Sequence, residues 1–157
     1  MTDTIKVAVI GAGMMGKNHL KTYKGLNGVE LVGVYDIFPE ACKAAAETFG
    51  IKAFSSLEEV AENVDAVSVV TTSVTHAEVG EFFLNRGIHC LMEKPLATTE
   101  AECQRLISAA KNNNVTLLVG HIEQFNPAVE QMHKILSDTS KICSLTAQRM
   151  SAVSYTH

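Results

Sequence analysis

Residues 6–16 of the chain read KVAVIGAGMMG, an apolar run followed by glycines at the spacing G-x-G-x-x-G. The apolar run, residues 6–10, is typical of a strand buried on both faces, and a helix is expected to start at the glycines. Gly11 permits a tight turn, Gly13 lets the backbone approach a diphosphate, and Gly16 lets the helix pack closely on the strand. The stretch therefore predicts a strand, turn and helix that bind a dinucleotide at the helix start.

An acidic residue stands where this turn needs one. Asp36 follows Gly16 by 20 residues and ends a second predicted strand, residues 30–35. A carboxylate there accepts hydrogen bonds from the adenosine ribose and repels a 2′-phosphate. The next residues, Ile37 and Phe38, offer no cation that could bind such a phosphate. The pattern predicts NAD rather than NADP. The side chains of Met14 and Met15 are expected to fill core space. The predicted contacts on this side are Gly11, Ala12, Gly13, Met14, Met15, Gly16, Asp36 and Ile37.

A phosphate-binding loop of the NTPase type is the rival interpretation. Residues 11–17 also fit G-x-x-x-x-G-K, but the following residue is Asn18 instead of the Ser or Thr that binds Mg²⁺. The missing hydroxyl, the second glycine and the acid at 36 favour the dinucleotide. Neither H-E-x-x-H nor G-x-S-x-G occurs, and the H-x-E pairs at 76–78 and 121–123 lack the P-C-x-x-C of a deaminase. No metal site is predicted.

The rest of the chain alternates between strand and helix patterns. Four further strands are predicted, at 52–54, 66–70, 88–92 and 116–119. Six strands alternating with helices predict an α/β fold, a doubly wound parallel sheet of the Rossmann type. Capping boxes are predicted at 56–59, 75–78 and 99–102, and Asn126-Pro127 is predicted to begin a last helix.

The end of the chain changes character. Residues 141–150 alternate between polar and apolar, which predicts a half-exposed strand of a second, α+β domain. The predicted organisation is a dinucleotide-binding domain at 1–136 and the stub of a truncated substrate and oligomerisation domain at 137–157.

Composition narrows the function classes. The chain has 157 residues, 46% of them hydrophobic, and a net charge of −4, which argues against a nucleic-acid partner. No apolar run is long enough for a membrane span, and four cysteines without paired spacing indicate reduced thiols. These features predict a cytoplasmic protein.

Polar clusters follow the fourth, fifth and sixth predicted strands, at 71–76, 93–95 and 120–127. Because ligands of open α/β sheets bind at the carboxyl ends of strands, all three are expected on one rim. Together with the glycine turn, these residues resemble the Gfo/Idh/MocA oxidoreductases, NAD(P)-dependent dehydrogenases of sugars and related polyols. The resemblance covers residues 3–136. Its most specific element is Glu93-Lys94-Pro95, and residues 120–127 resemble the branch that acts on nucleotide-linked sugars.

The resemblance implies roles for residues on this rim. Lys94 would lie beside the nicotinamide and the reacting sugar hydroxyl, where a cation stabilises developing alkoxide. Glu93, Thr71, Thr72, Ser73 and His76 would contact the cofactor, and Glu123 and Asn126 would reach the substrate. For His76 the alternative is a plain residue at a helix start, and for Asn126 it is a helix cap.

The resemblance also implies a sugar or nucleotide-sugar substrate and a full-length protein that forms a homo-oligomer. The fragment itself is expected to bind cofactor without turnover. The alternative is a stand-alone nucleotide-binding or regulatory module without catalysis.

Overall fold

The computed structural model describes residues 4–136, 144 and 146. The strands are β1 (Ile5–Ile10), β2 (Val29–Tyr35), β3 (Lys52–Ala53), β4 (Ala66–Val69), β5 (His89–Met92) and β6 (Leu117–Val119). The helices are α1 (Met14–Lys24), α2 (Pro39–Phe49), α3 (Leu57–Ala61), α4 (His76–Leu84), α5 (Glu100–Asn112) and α6 (Pro127–Ile135). Short 3-10 turns occur at Ser73–Thr75 and Ile122–Phe125.

The six strands form one parallel sheet in the order β3-β2-β1-β4-β5-β6. This is the doubly wound topology that the sequence predicts, so the predicted fold class is confirmed. The strand order reverses between β1 and β4, and in such sheets the crevice for a ligand opens at that point.

Helices cover both faces of the sheet because β1 is apolar on both. Val9 lies in a core with Leu20 of α1 and Ala45 of α2. Ile10 lies in the core of the opposite face, with Phe83 of α4 and Leu106 of α5. Each of these side chains is at most 1% exposed, so packing on both faces fixes the position of β1 within the sheet. The turn that follows it therefore has a defined position.

Helix boundaries test the predicted caps. Thr99 and Glu102 form the predicted reciprocal capping box, and Gly50 ends α2 with φ +65°. At Ser56 only half of the box forms, because the Glu59 carboxylate accepts from the amide and hydroxyl of Ser55 instead of the Ser56 amide.

The box predicted at 75–78 is wrong. The Thr75 hydroxyl donates to Thr71 Oγ1 and to the Thr72 carbonyl within the 3-10 turn. These contacts orient the hydroxyl towards the 3-10 turn, and the Thr75 side chain makes no cap hydrogen bond to α4.

The chain divides into two compact units, Met1–His121 and Ile122–His157. The first contains the whole sheet, and the described part of the second contains a 3-10 turn and α6. The predicted domain boundary after residue 136 stays a prediction. The predicted strand at 141–150 falls outside the described residues except for two isolated positions. No helix in the described ranges has the length and apolarity to cross a membrane.

Candidate active site

The glycine turn after β1 is shaped by contacts that exclude side chains. Gly11 has φ +107°, and a Cβ there would lie 2.6 Å from the Val70 carbonyl oxygen. A Cβ on Gly16 would overlap the carbonyl oxygen of Gly11. Gly13 differs, because a Cβ built on it meets no described atom within 4 Å. Two glycines therefore hold the turn together, and the third leaves a bare backbone surface.

The start of α1 is open to an anion. The Gly13 position carries no side-chain cap among the described residues, so the amides of the first helical turn are not satisfied by the helix itself. Met14 is 81% exposed and Met15 is 39% exposed, so the prediction that they fill the core is wrong. Because Gly16 and Leu20 face the sheet, the helix periodicity turns these methionines outward. Bare backbone, free amides and a helix dipole fit a diphosphate.

Asp36 connects the end of β2 to this turn. One carboxylate oxygen accepts from the Ala12 amide at 2.6 Å, and the other accepts from the Phe38 amide at 2.9 Å. A carboxylate has about four acceptor positions, so two amides leave room for ribose hydroxyls. Ile37, beside it, is 73% exposed. The carboxylate is thus fixed in place before any ligand arrives.

The segment after β4 lies next to the glycine turn. The Val70 amide donates to the Ile10 carbonyl at 2.8 Å, which joins the ends of β4 and β1. Thr71 and Ser73 are half-buried and Thr72 is exposed. These three residues lie at the rim where the sequence predicts them, and their contact with a cofactor stays a prediction.

His76, the first residue of α4, is 1% exposed. Its Nδ1 lies 2.7 Å from the Pro95 carbonyl oxygen and its Nε2 lies 3.1 Å from the Thr71 carbonyl oxygen. The ring therefore links the segment after β4 to the segment after β5. Both ring nitrogens face backbone carbonyls, so this geometry supports a structural role, and the predicted cofactor contact stays untested.

The segment after β5 carries the predicted catalytic lysine. Lys94 is exposed, and its ammonium group has no hydrogen bond or ion pair to any described residue. The peptide bond between Lys94 and Pro95 is cis. Glu93, in contrast, is only 9% exposed. Its carboxylate accepts from the Lys94 amide at 3.1 Å and contacts His19 Nε2 at 3.1 Å.

Three residues of this region were missed by sequence reasoning. His19 and Tyr23 lie on α1, and both contact Ser68 in β4. The signal was present in the sequence, because Ser68 interrupts an apolar strand and a buried hydroxyl requires a partner. What the sequence lacks is any indication of which partner it finds.

Two of the three predicted substrate residues, Glu123 and Asn126, lie in the second compact unit. The Asn126 side chain accepts from the Ala128 amide at 3.0 Å and so caps α6. Its amide group also donates to Glu123 Oε2 at 3.0 Å. The capping alternative for Asn126 is confirmed. Contact of either residue with a substrate stays a prediction.

A sequence profile of the Gfo/Idh/MocA group, described as an oxidoreductase family with an NAD-binding Rossmann fold, matches residues 5–121. The chain belongs to this family. The match covers the whole sheet, the glycine turn and Lys94. It confirms the predicted cofactor class, NAD.

Individual relatives show the same domain. The chain is 34% identical over 130 residues to a UDP-N-acetylglucosamine 3-dehydrogenase of Acidithiobacillus ferrooxidans, covering 83% of this chain and 41% of the relative. The solved structure of that dehydrogenase superposes with a TM-score of 0.79. GenD2 of gentamicin A biosynthesis, solved with NAD, gives 0.83 at 26% identity, covering 90% of this chain and 41% of GenD2.

A third relative binds the phosphorylated cofactor. The 3-ketoreductase KijD10 of Actinomadura kijaniata, solved with NADP, gives a TM-score of 0.78 at 27% identity, covering 85% of this chain and 44% of KijD10. The predicted selectivity of this chain for NAD over NADP therefore stays a prediction. In all three comparisons the chain spans less than half of the relative's length.

Proposed function

We propose that this chain is the cofactor-binding part of a dehydrogenase that transfers hydride between a sugar or nucleotide-sugar hydroxyl and NAD. The observation that carries the proposal is the place of Lys94. It follows β5, two strands from the glycine turn, so the two features are about 10 Å apart along the rim. An extended dinucleotide spans that distance across the point where the strand order reverses.

Each half of the rim has a separate task. The amides at the start of α1 bind the diphosphate, and Asp36 accepts hydrogen bonds from the adenosine ribose. The segments after β4 and β5 face the nicotinamide side. When bound, the nicotinamide accepts the hydride that leaves the substrate carbon.

Lys94 acts on the substrate oxygen. As hydride leaves the carbon, the hydroxyl oxygen becomes a carbonyl oxygen and its proton passes to a general base, which in this proposal the rest of the full-length protein supplies. An ammonium group beside that oxygen stabilises the negative charge that develops there. Lys94 suits this task because its ammonium group is exposed and free of any described partner.

The substrate class and setting follow the relatives. The UDP-N-acetylglucosamine 3-dehydrogenase named above supports a sugar or nucleotide-sugar substrate. Cys42, Cys90 and Cys103 are free thiols, which supports a cytoplasmic location. A homo-oligomeric full-length protein remains part of the proposal.

Two measurements on this chain test the proposal. When NADH is titrated against the chain, binding should change the fluorescence emission of NADH, and the change should saturate. Unchanged emission up to millimolar NADH would contradict cofactor binding. Saturating NADH should also slow acetylation of Lys94 by an amine-reactive ester, measured by peptide mass spectrometry. Lys21 and Lys24 in the last turn of α1 serve as internal controls and should react at unchanged rates.

The alternative of a binding module without catalysis gives a different result. A module would bind NADH through the glycine turn but would have no reason to place the nicotinamide next to Lys94. Saturable NADH binding without any protection of Lys94 would therefore favour the module over the dehydrogenase.

A further inference from the structure

Four polar side chains form a continuous row between α1 and the sheet, ending at the segment that carries Lys94. The Tyr23 hydroxyl lies 2.6 Å from Ser68 Oγ, and Ser68 Oγ lies 3.2 Å from His19 Nδ1. His19 Nε2 lies 3.1 Å from one Glu93 oxygen. The other Glu93 oxygen accepts from the Lys94 amide at 3.1 Å.

The row is buried where an unpaired polar group would be costly. Ser68 is fully buried, and the side chains of His19 and Glu93 are 15% and 11% exposed. A buried carboxylate destabilises a fold unless it is paired and hydrogen-bonded. In the described part of the chain, every buried side-chain nitrogen and oxygen has a hydrogen-bond partner. Each buried polar atom of the row is therefore hydrogen-bonded.

One assignment of donors and acceptors satisfies every contact in the row. Glu93 can only accept, so His19 Nε2 carries a hydrogen and donates to it. In the tautomer that carries its hydrogen on Nε2, Nδ1 accepts from the Ser68 hydroxyl, and Ser68 Oγ in turn accepts from the Tyr23 hydroxyl. The chain of donation runs from Tyr23 to Glu93, whose second oxygen holds the Lys94 amide.

Space for the carboxylate is provided by the end of β6. A Cβ on Gly120 would lie 3.3 Å from Glu93 Oε1, closer than ordinary contact. On the other side of Lys94, the Pro95 carbonyl oxygen is 2.7 Å from His76 Nδ1. Both neighbours of Lys94 in the chain are thus held by hydrogen bonds, whereas the Lys94 ammonium group has no partner among the described residues.

We infer that His19 is a positioning residue for Lys94, acting through Glu93, with Ser68 and Tyr23 fixing its ring. The inference rests on the proposed function for the importance of Lys94, but the contact itself exists without any ligand. Its content is that α1 has two roles: its first turn binds the cofactor, and its second fixes the lysine beside the reacting oxygen.

Two substitutions of His19 separate the two ring contacts. His19→Gln places an N–H donor near the position of Nε2 and should still reach Glu93. His19→Asn places its polar group near the position of Nδ1, so it reaches Ser68 but not Glu93. Both variants keep a polar side chain at this position, and only His19→Gln retains the contact with Glu93 that the inference requires.

The first readout is hydrogen exchange of the Lys94 amide in the ligand-free chain, measured by NMR. His19→Asn should accelerate this exchange about tenfold, as expected for loss of one charge-assisted bond, while His19→Gln should restore it to near the parent rate. The amides of Val9 and Val34 in the sheet are the control and should be unchanged. Parent-like exchange of Lys94 in a folded His19→Asn chain would overturn the inference.

The second readout separates positioning from binding. His19→Asn should bind NADH nearly as well as the parent, because the glycine turn and Asp36 are untouched. It should nevertheless lose the NADH-dependent protection of Lys94 from acetylation, and retained protection would count against the inference. If NADH fails to bind even the parent chain, the proposed function fails while the exchange result still decides the positioning role.

A further variant tests the inference if the His19→Asn chain does not fold. Glu93→Gln keeps the size of the side chain and removes the charge that His19 and the Lys94 amide share. It should accelerate exchange of the Lys94 amide in the same direction, and unaltered exchange would again overturn the inference.

Discussion

The carboxylate of Asp36 accepts a hydrogen bond from the backbone amide of Ala12 at 2.6 Å. The acid expected to bind ribose therefore also holds the glycine turn against β2. These two tasks can be separated by substitution. Asn can still accept from the Ala12 amide through its carbonyl oxygen, whereas Ala cannot.

The first prediction concerns Asp36. Both Asp36→Ala and Asp36→Asn should weaken NADH binding by about 1–3 kcal/mol, because each removes a charged acceptor for the ribose hydroxyls. Asp36→Ala should also lower the melting temperature, and by more than Asp36→Asn, which keeps one acceptor oxygen. Both should narrow the preference for NADH over NADPH, because the charge that repels a 2′-phosphate is gone. Fluorescence titration and thermal melts measure these effects, and unchanged NADH affinity in Asp36→Asn would refute the ribose contact.

The second prediction separates folding from binding within the glycine turn. Gly13→Ala should leave stability unchanged, because its Cβ meets no described atom and φ is −67°. It should still weaken NADH binding about tenfold or more, since the methyl group covers the backbone that a diphosphate approaches.

Gly16→Ala should behave in the opposite way. Its Cβ overlaps the Gly11 carbonyl oxygen, and overpacking of this kind costs about 1–3 kcal/mol of folding free energy. Gly25→Ala is the matched control, because its Cβ lies 3.6 Å from the Thr22 oxygen, an ordinary contact. Thermal melts that rank Gly13→Ala as the most destabilised of the three would show that the turn is packed differently.

The third prediction concerns acid stability. The Lys52 ammonium, 2.7 Å from Glu59, together with the amide and hydroxyl of Ser55, lowers the pKa of Glu59 from 4.5 to about 2. Because the folded-state pKa lies below the unfolded value, this carboxylate stabilises the fold above about pH 4.5. That contribution is lost as the pH falls towards 2.

Glu59→Gln should therefore lower the melting temperature near pH 6 and approach the parent value near pH 2. High salt should reduce the difference, since both side chains are partly exposed. Glu58→Gln is the control, because Glu58 lies in the same first turn of α3 without an ion pair in the described chain. An equal difference between Glu59→Gln and the parent at pH 6 and pH 2 would contradict the assignment.

The fourth prediction concerns the thiols. Burial raises the pKa of Cys90 to about 12, so at pH 8 only about one molecule in ten thousand carries the thiolate. Cys90 is 2% exposed, whereas Cys103 is half-buried. A thiol reagent at pH 8 should modify Cys103 in the native chain and Cys90 only after denaturation. Peptide mass spectrometry distinguishes them, and equal native rates would show that the core around β5 opens readily.

The features predicted correctly from sequence are those fixed by neighbouring residues. The apolar run of β1, the turn at Gly11 and the cap at Thr99 each depend on a few adjacent positions. The capping box predicted at Thr75 is wrong because the Thr75 hydroxyl hydrogen-bonds to Thr71 and Thr72 within the 3-10 turn instead of capping α4. Local patterns rank such competing partners poorly.

The contacts that the sequence does not reveal join residues far apart in the chain. His19 and Glu93 are 74 positions apart, and only the completed sheet brings them together. The motif predicts Glu93 as a cofactor contact, which stays a prediction, but it does not predict that the Glu93 carboxylate contacts His19 of α1. A motif identifies which residues matter, but the direction of each side chain depends on partners from other elements.

The strand order has a consequence for assembly. β4 pairs with both β1 and β5, so it lies between the strand that precedes the glycine turn and the strand that precedes Lys94. A chain cleaved at residues 62–65, between α3 and β4, would leave the turn on one fragment and the lysine on the other. Neither fragment would hold a complete rim, and adding NADH should favour their reassociation. Binding of the dinucleotide therefore requires that β1 and β4 are paired at the centre of the sheet.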